Sequence, residues 1–222
     1  MTDEAEPDLA ALYLDVAARV RVLAAEEADR LESTPVPTCP GWSAKDVVAH
    51  LAGSVEDALA GTLTGIPTDE VTAAQVESRR GRPLDDLLAS WEASAPAFAE
   101  VVSSLGIWPA VIDVTTHEQD LRHALDRPGA RDGAALVAGA RTMAGQVRVP
   151  RRLTMTTEDG TWTRGPRDAE PLGLDTTTFE LFRVLMGRRS REQLVALPWS
   201  DDPGAVVDHL CFFGPSPVAI IE

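Results

Sequence analysis

Apolar residues recur at helical spacings through the first two-thirds of this chain and give way near residue 152 to strand-like alternation. A helical block must therefore join a smaller mixed one. From Pro7 to Leu31, the residues Leu9, Leu12, Leu14, Val16, Val20 and Leu23 mark one face of an amphipathic helix, with Pro7 near its first turn. Ser33 to Trp42 holds three prolines and a glycine, which neither a helix nor a central strand carries, and reads as an ordered connector. Ser43, three residues before Asp46, opens a second helix with a near capping box; Val47, Val48, Leu51, Val55 and Leu59 follow, and His50 rides on it. Gly61 to Pro83 is polar and turn-rich, either a mobile flap or a segment containing one short helix from Glu70 to Arg79.

Leu84 to Leu105 reads as a third helix, and Pro109 opens a fourth that Asp126-Arg127-Pro128-Gly129 ends. A fifth spans Gly133 to Val147. Arg152 to Thr157 then alternates, and Asp159-Gly160 before Thr161-Trp162-Thr163 signals a two-stranded hairpin. Asp175 is the expected cap of a helix with Phe179, Leu181, Phe182, Leu185 and Met186 on its apolar face, stopped by Gly187. A short helix from Ser190 to Ala196 and a last one from Pro203 to Phe213 complete the expectation, with a domain boundary near residues 148–151.

Charge narrows the partners. The 222 residues carry a formal net charge of −15, which repels phosphate backbones and anionic lipid surfaces, so nucleic acid and membrane are not expected partners. Residues 1–125 hold 8 basic and 22 acidic side chains, against 12 and 13 in the remainder. The second part is thus relatively rich in arginine, the side chain suited to bidentate capture of carboxylates. Arg148, Arg151, Arg152, Arg183 and Arg188 are the candidates for gripping an anionic substrate, the alternative for each being a surface ion pair. No stretch approaches the ~20 apolar residues of a membrane span. The opening Met1-Thr2-Asp3-Glu4-Ala5-Glu6 is acidic where a secretory signal is basic, so a cytoplasmic location is expected, with Cys39 and Cys211 reduced.

Of the four histidines, at 50, 117, 123 and 209, one stands in a telling pattern. Asp113 and His117 are i, i+4 in the fourth helix, and at ~100° per residue Asp113, His117 and Asp120 fall within roughly 60° of one another. Val111, Val114, Leu121 and Leu125 form a separate apolar stripe. A carboxylate and an imidazole one turn apart can chelate a metal ion or simply form an exposed hydrogen-bonded pair. A third ligand must come from another helix, and His50 is the candidate; three protein ligands plus an open position is the plan of a catalytic zinc site. Asp120 either orients a ligand imidazole or pairs with an arginine. Trp42 reads as a core anchor before a pocket wall, and Cys39 as a small buried thiol before a nucleophile, with no base locally paired to it. His123 and His209 read as surface or packed helix residues. No GxGxxG, Walker, GxSxG or HExxH motif is present.

Thr38-Cys39-Pro40-Gly41-Trp42, followed by Asp46-Val47-Val48-Ala49-His50-Leu51, resembles the opening signature of the mycothiol-dependent maleylpyruvate isomerase family, within the DinB-like superfamily. Asp113-Val114-Thr115-Thr116-His117-Glu118-Gln119-Asp120 is similar to that family's second signature, with Asp113 where its best-studied members have Glu. Phe179 to Ser190 and Trp199-Ser200-Asp201-Asp202 resemble its C-terminal domain. The resemblance implies a mainly α fold, a DinB-like up-down four-helix bundle over residues 1–148 followed by a small α+β domain over 149–222. It implies a divalent metal, usually zinc, held by His50, Asp113 and His117. The cosubstrate it implies is mycothiol, an actinobacterial thiol whose metal-bound thiolate attacks a small electrophile as an S-transferase or a thiol-assisted isomerase. A non-catalytic or metal-free ligand-binding or regulatory module is the rival reading, and the assembly expected is a monomer or homodimer.

Overall fold

The structure, a computed structural model, describes residues 7–63 and 65–222; the acidic opening Met1 to Glu6 lies outside them. Helix α1 spans Leu9–Glu26, with the Asp8 carboxylate accepting from the Ala11 amide as its N-cap, and buries Tyr13, Val16, Ala17, Val20 and Leu23. The single long helix expected to Leu31 breaks at Glu27, and α2 (Ala28–Leu31) resumes for one turn. Glu27 accepts there from both Arg30 and Arg127.

The proline-rich connector is ordered by backbone hydrogen bonds from Val36 to Trp42, Trp42 to Cys39 and Ala44 to Thr34. Gly41, at φ +84°, makes this reversal, which an L side chain would strain. Helix α3 (Ala44–Leu59) then starts on a full capping box: the Ser43 hydroxyl accepts from the Asp46 amide, and the Asp46 carboxylate accepts from the Ser43 amide at 2.9 Å. That box fixes the helix's start, and hence which way His50, two turns on, faces. Of the two readings of residues 61–83, the short helix is the one observed, α4 (Asp69–Arg79).

Helices α5 (Leu84–Leu105) and α6 (Trp108–Ala124) complete the bundle, whose principal contacts run α1, α5, α3, α6 in a ring. Val111, Val114, Leu121 and Leu125 are buried, as the apolar stripe predicts. Unlike an ordinary amphipathic helix, α6 also buries every residue from Thr115 to Asp120. Glu118 is matched within the bundle by Arg19, whose Nε and Nη2 each donate to it at 2.8 Å.

The chain divides into compact units at Gly129 and Ala130 rather than near residue 148. Helix α7 (Ala134–Gln146), expected in the bundle, packs instead on later elements of the second unit. Periodicity marks its apolar face of Ala135, Leu136, Ala140 and Met143 but not what covers that face. Strands β1 (Arg152–Thr157) and β2 (Gly160–Arg164) form the expected hairpin, with Met155 opposite Trp162. A third strand, β3 (Pro171–Asp175), pairs parallel to β1 and gives the order β2-β1-β3. Leu153, Met155, Leu172 and Leu174 bury one face of this sheet.

Helix α8 (Thr178–Leu185) is capped by the Thr177 hydroxyl, not by Asp175, which belongs to β3. Helix α9 (Arg191–Val195) starts on Ser190. The helix expected from Pro203 to Phe213 shrinks to a 3-10 turn at Val207–His209; the short run between Gly204 and Gly214 carries the β-branched Val206 and Val207 and does not sustain a helix on propensity alone. Among the described residues no helix is long and apolar enough to cross a membrane.

Candidate metal centre

Helices α3 and α6 bring His50, Asp113 and His117 together inside the first unit. Three ligand atoms, one from each residue, lie within 4.8 Å of one another. The Nε2 atoms of His50 and His117 each stand 3.5 Å from an Asp113 carboxylate oxygen. That separation exceeds a good N–H···O hydrogen bond. It matches the roughly 3.4 Å edge of a tetrahedron of N and O ligands about 2.1 Å from a central ion. The donor set, two imidazoles and one carboxylate, is also the chemistry a catalytic zinc site uses. Residue burial is 3% exposure for His50 and 8% for His117, whereas the Asp113 side chain is 40% exposed, so the cluster opens toward solvent on the carboxylate side. The residues present therefore fit a divalent ion with room for a further ligand.

Both imidazoles are held from behind. Asp120, fully buried, has Oδ2 3.1 Å from His117 Nδ1, and His50 Nδ1 lies 3.3 Å from Gln75 Oε1. In the neutral form that binds a metal, a proton on each Nδ1 would leave each Nε2 lone pair facing Asp113. Burial works to lower the pKa of His117, but the Asp120 hydrogen bond, the Cys39 sulfur and the Asp113 charge outweigh it and raise it to about 10 in the metal-free site. Trp42 walls the cluster, its ring 5.4 Å from that of His50 and 6.5 Å from that of His117. The two imidazoles meet edge to face at 5.1 Å.

Two neighbours lay beyond the reach of sequence spacing. The connector turn carries the Cys39 sulfur to 3.9 Å from His117 Nδ1 and 3.8 Å from Asp120 Oδ2, so this cysteine, which has no base near it in sequence, has one in space. Cys39, His117 and Asp120 form a second, overlapping group of metal-ligating type on the opposite edge of the imidazole. Gln75 gives no sequence signal at all.

The five candidate arginines all belong to the second unit. Arg183 is fully buried with its guanidinium on Glu222, at 2.9 and 2.6 Å. Arg151 donates to Asp201 and to the Pro171 and Asp202 carbonyls, and Arg188 to the Met186 carbonyl. Arg148 and Arg152 are exposed and donate to backbone carbonyls. His123 is half-buried and His209 exposed.

A helical bundle with a His-Asp-His trio in its interior and a small sheet-containing C-terminal unit is the class of protein these features define. The family model described as the mycothiol maleylpyruvate isomerase N-terminal domain matches residues 9–125, and the chain belongs to that family. Two solved structures share the fold at low identity. A histidine-to-alanine mutant of mycothiol-dependent maleylpyruvate isomerase is 15% identical at a TM-score of 0.55, and the unmutated enzyme is 16% identical at 0.51. Each match covers 82% of this chain and 90% of the other. No curated protein matches.

Proposed function

We propose that this chain is a mycothiol-dependent metalloenzyme acting on a small electrophile, with His50, Asp113 and His117 as ligands of one divalent ion, zinc by the chemistry of the donor set. The convergence of two Nε2 atoms on Asp113 at 3.5 Å carries the reading. A bound zinc would supply positive charge that keeps a thiol ionised near neutral pH. In this reading Asp120 holds the proton on His117 Nδ1 and fixes that ring's aim. Trp42 shields the imidazoles from water. The exposed edge of Asp113 leaves the approach for thiol and electrophile.

Addition of the thiol sulfur to a conjugated double bond, rotation about the resulting single bond and expulsion of the sulfur would isomerise the electrophile. Addition without expulsion would transfer the thiol. Membership of the mycothiol maleylpyruvate isomerase family, with two maleylpyruvate isomerase structures among this chain's structural neighbours, favours isomerisation. Zinc-loaded protein mixed with mycothiol and maleylpyruvate tests this. The expected result is catalytic conversion to the trans isomer that requires both metal and thiol. A stable thiol adduct instead would move the assignment to transferase. Absence of either product, with mycothiol giving no thermal protection of the metal-loaded protein, would leave the binding-module reading.

A further inference from the structure

Helix α4 is an unusual neighbour for a metal cluster, because little of it is apolar: its only buried residues are Gln75 and Val76. The helix is tied to α3 chiefly by charge, with Arg79 donating to Glu56 at 2.9 Å and to Asp57 at 2.8 Å. Gln75 is 3% exposed, with Oε1 facing His50 Nδ1 at 3.3 Å and the Ser54 hydroxyl at a longer 3.5 Å. Its Nε2 is buried with no hydrogen-bond partner among the described residues.

A buried amide with an unsatisfied N–H group costs about 1–3 kcal/mol, which an apolar residue of the same length would avoid. Stability therefore does not explain a glutamine here. The acceptor turned toward His50 does. For Nε2 to offer its lone pair to an ion beside Asp113, Nδ1 must carry the imidazole proton, and that proton needs an acceptor where His50 is buried. Asp120 meets the same need for His117.

We propose that Gln75 is the positioning residue for His50, holding its proton on Nδ1 and its ring in the orientation that makes Nε2 a metal ligand. The two histidines are then oriented by different means: His117 by a carboxylate from its own helix, His50 by a neutral amide from α4. The purpose assigned to Gln75 rests on the metal reading, but the contact itself exists in the metal-free protein and is testable there.

Two substitutions separate positioning from packing. Gln75→Met keeps length and helix propensity and removes the amide acceptor; Gln75→Glu keeps an acceptor. In metal-free protein, 15N NMR of the neutral His50 imidazole should show the proton on Nδ1 in the wild type and in Gln75→Glu, and a shift toward Nε2 in Gln75→Met. Titration with Co2+, followed by its d–d absorption, should show affinity weakened roughly 10–100-fold in Gln75→Met. Gln75→Glu should restore it. A wild-type His50 protonated on Nε2, or a Gln75→Met variant with wild-type tautomer, Co2+ affinity and spectrum, would overturn the proposal. A wild type that takes up no Co2+ while showing the Nδ1 proton, lost in Gln75→Met, would sink the metal reading and leave the positioning contact standing.

Discussion

Two buried polar clusters in this chain follow opposite plans. In the second unit Arg183 and Arg189 converge on Glu222, and Arg189 also grips Glu180 through two nitrogens at 2.7 and 2.6 Å. Opposite charges sit at hydrogen-bonding distance there, and the arrangement is complete within the protein. In the first unit, two imidazoles face one carboxylate at 3.5 Å, beyond good hydrogen-bond range, while their far nitrogens are held at 3.1 and 3.3 Å. Contacts shorter behind each ring than in front of it fit a set of donors aimed at something else. The first plan is that of a structural ion-pair network; the second is the one proposed above for a ligand site.

If that contrast is right, removing one partner should do different damage in the two places. Glu222→Ala leaves the fully buried Arg183 without its carboxylate and should lower stability by about 3–5 kcal/mol in chemical denaturation. Asp113→Asn should change the metal-free protein's stability by within about 1 kcal/mol, because its side chain is part-exposed, yet should abolish high-affinity metal uptake. Comparable stability losses from both would erase the distinction between the clusters.

Acid sharpens it further. Burial alone would raise the pKa of Glu222, but Arg183 and Arg189 more than offset this and hold it below the ordinary value of 4.5. A carboxyl with a depressed folded pKa contributes stability that is complete above its unfolded pKa and is lost as the pH falls through the folded one. Melting temperature should therefore drop as the pH falls below 4.5, and the drop should be shallower in Glu222→Gln. An unchanged acid slope in that variant would show the pair contributes no linkage.

Smaller effects test the supports of the His50, Asp113 and His117 cluster. Asp120→Asn keeps an acceptor for His117 Nδ1 but removes its charge, and should weaken metal affinity by roughly 10–100-fold in a competitive chelator titration. Ser43→Ala removes the hydroxyl half of the α3 capping box and should cost about 1 kcal/mol of stability with metal affinity little changed.

The two clusters also differ in how far the sequence betrayed them. The spatial grouping of His50, Asp113 and His117 was legible because i, i+4 spacing sets two of them on one helix face and the signature around Trp42 points to the third. The Ser43–Asp46 box and the Asp159-Gly160 hairpin were legible for the same reason: their chemistry is local. Cys39 and Gln75 reach the site only through tertiary approach across 78 and 25 residues, and no local pattern encodes such a meeting. The same holds for Arg183, whose partner Glu222 lies 39 residues away. Strand β3 was hidden by Pro171 and Gly173, weak strand formers that β1 recruits by pairing. The Ala-rich face of α7 showed a helix but not its unit.

Metal content of the purified, untagged protein and its variants bears most directly on the central claim that His50, Asp113 and His117 form one metal site. With folding verified by circular dichroism, about one divalent ion per chain is expected in the wild type and in His123→Ala, and none in His50→Ala or His117→Ala. Equal metal content in all four proteins would contradict the account.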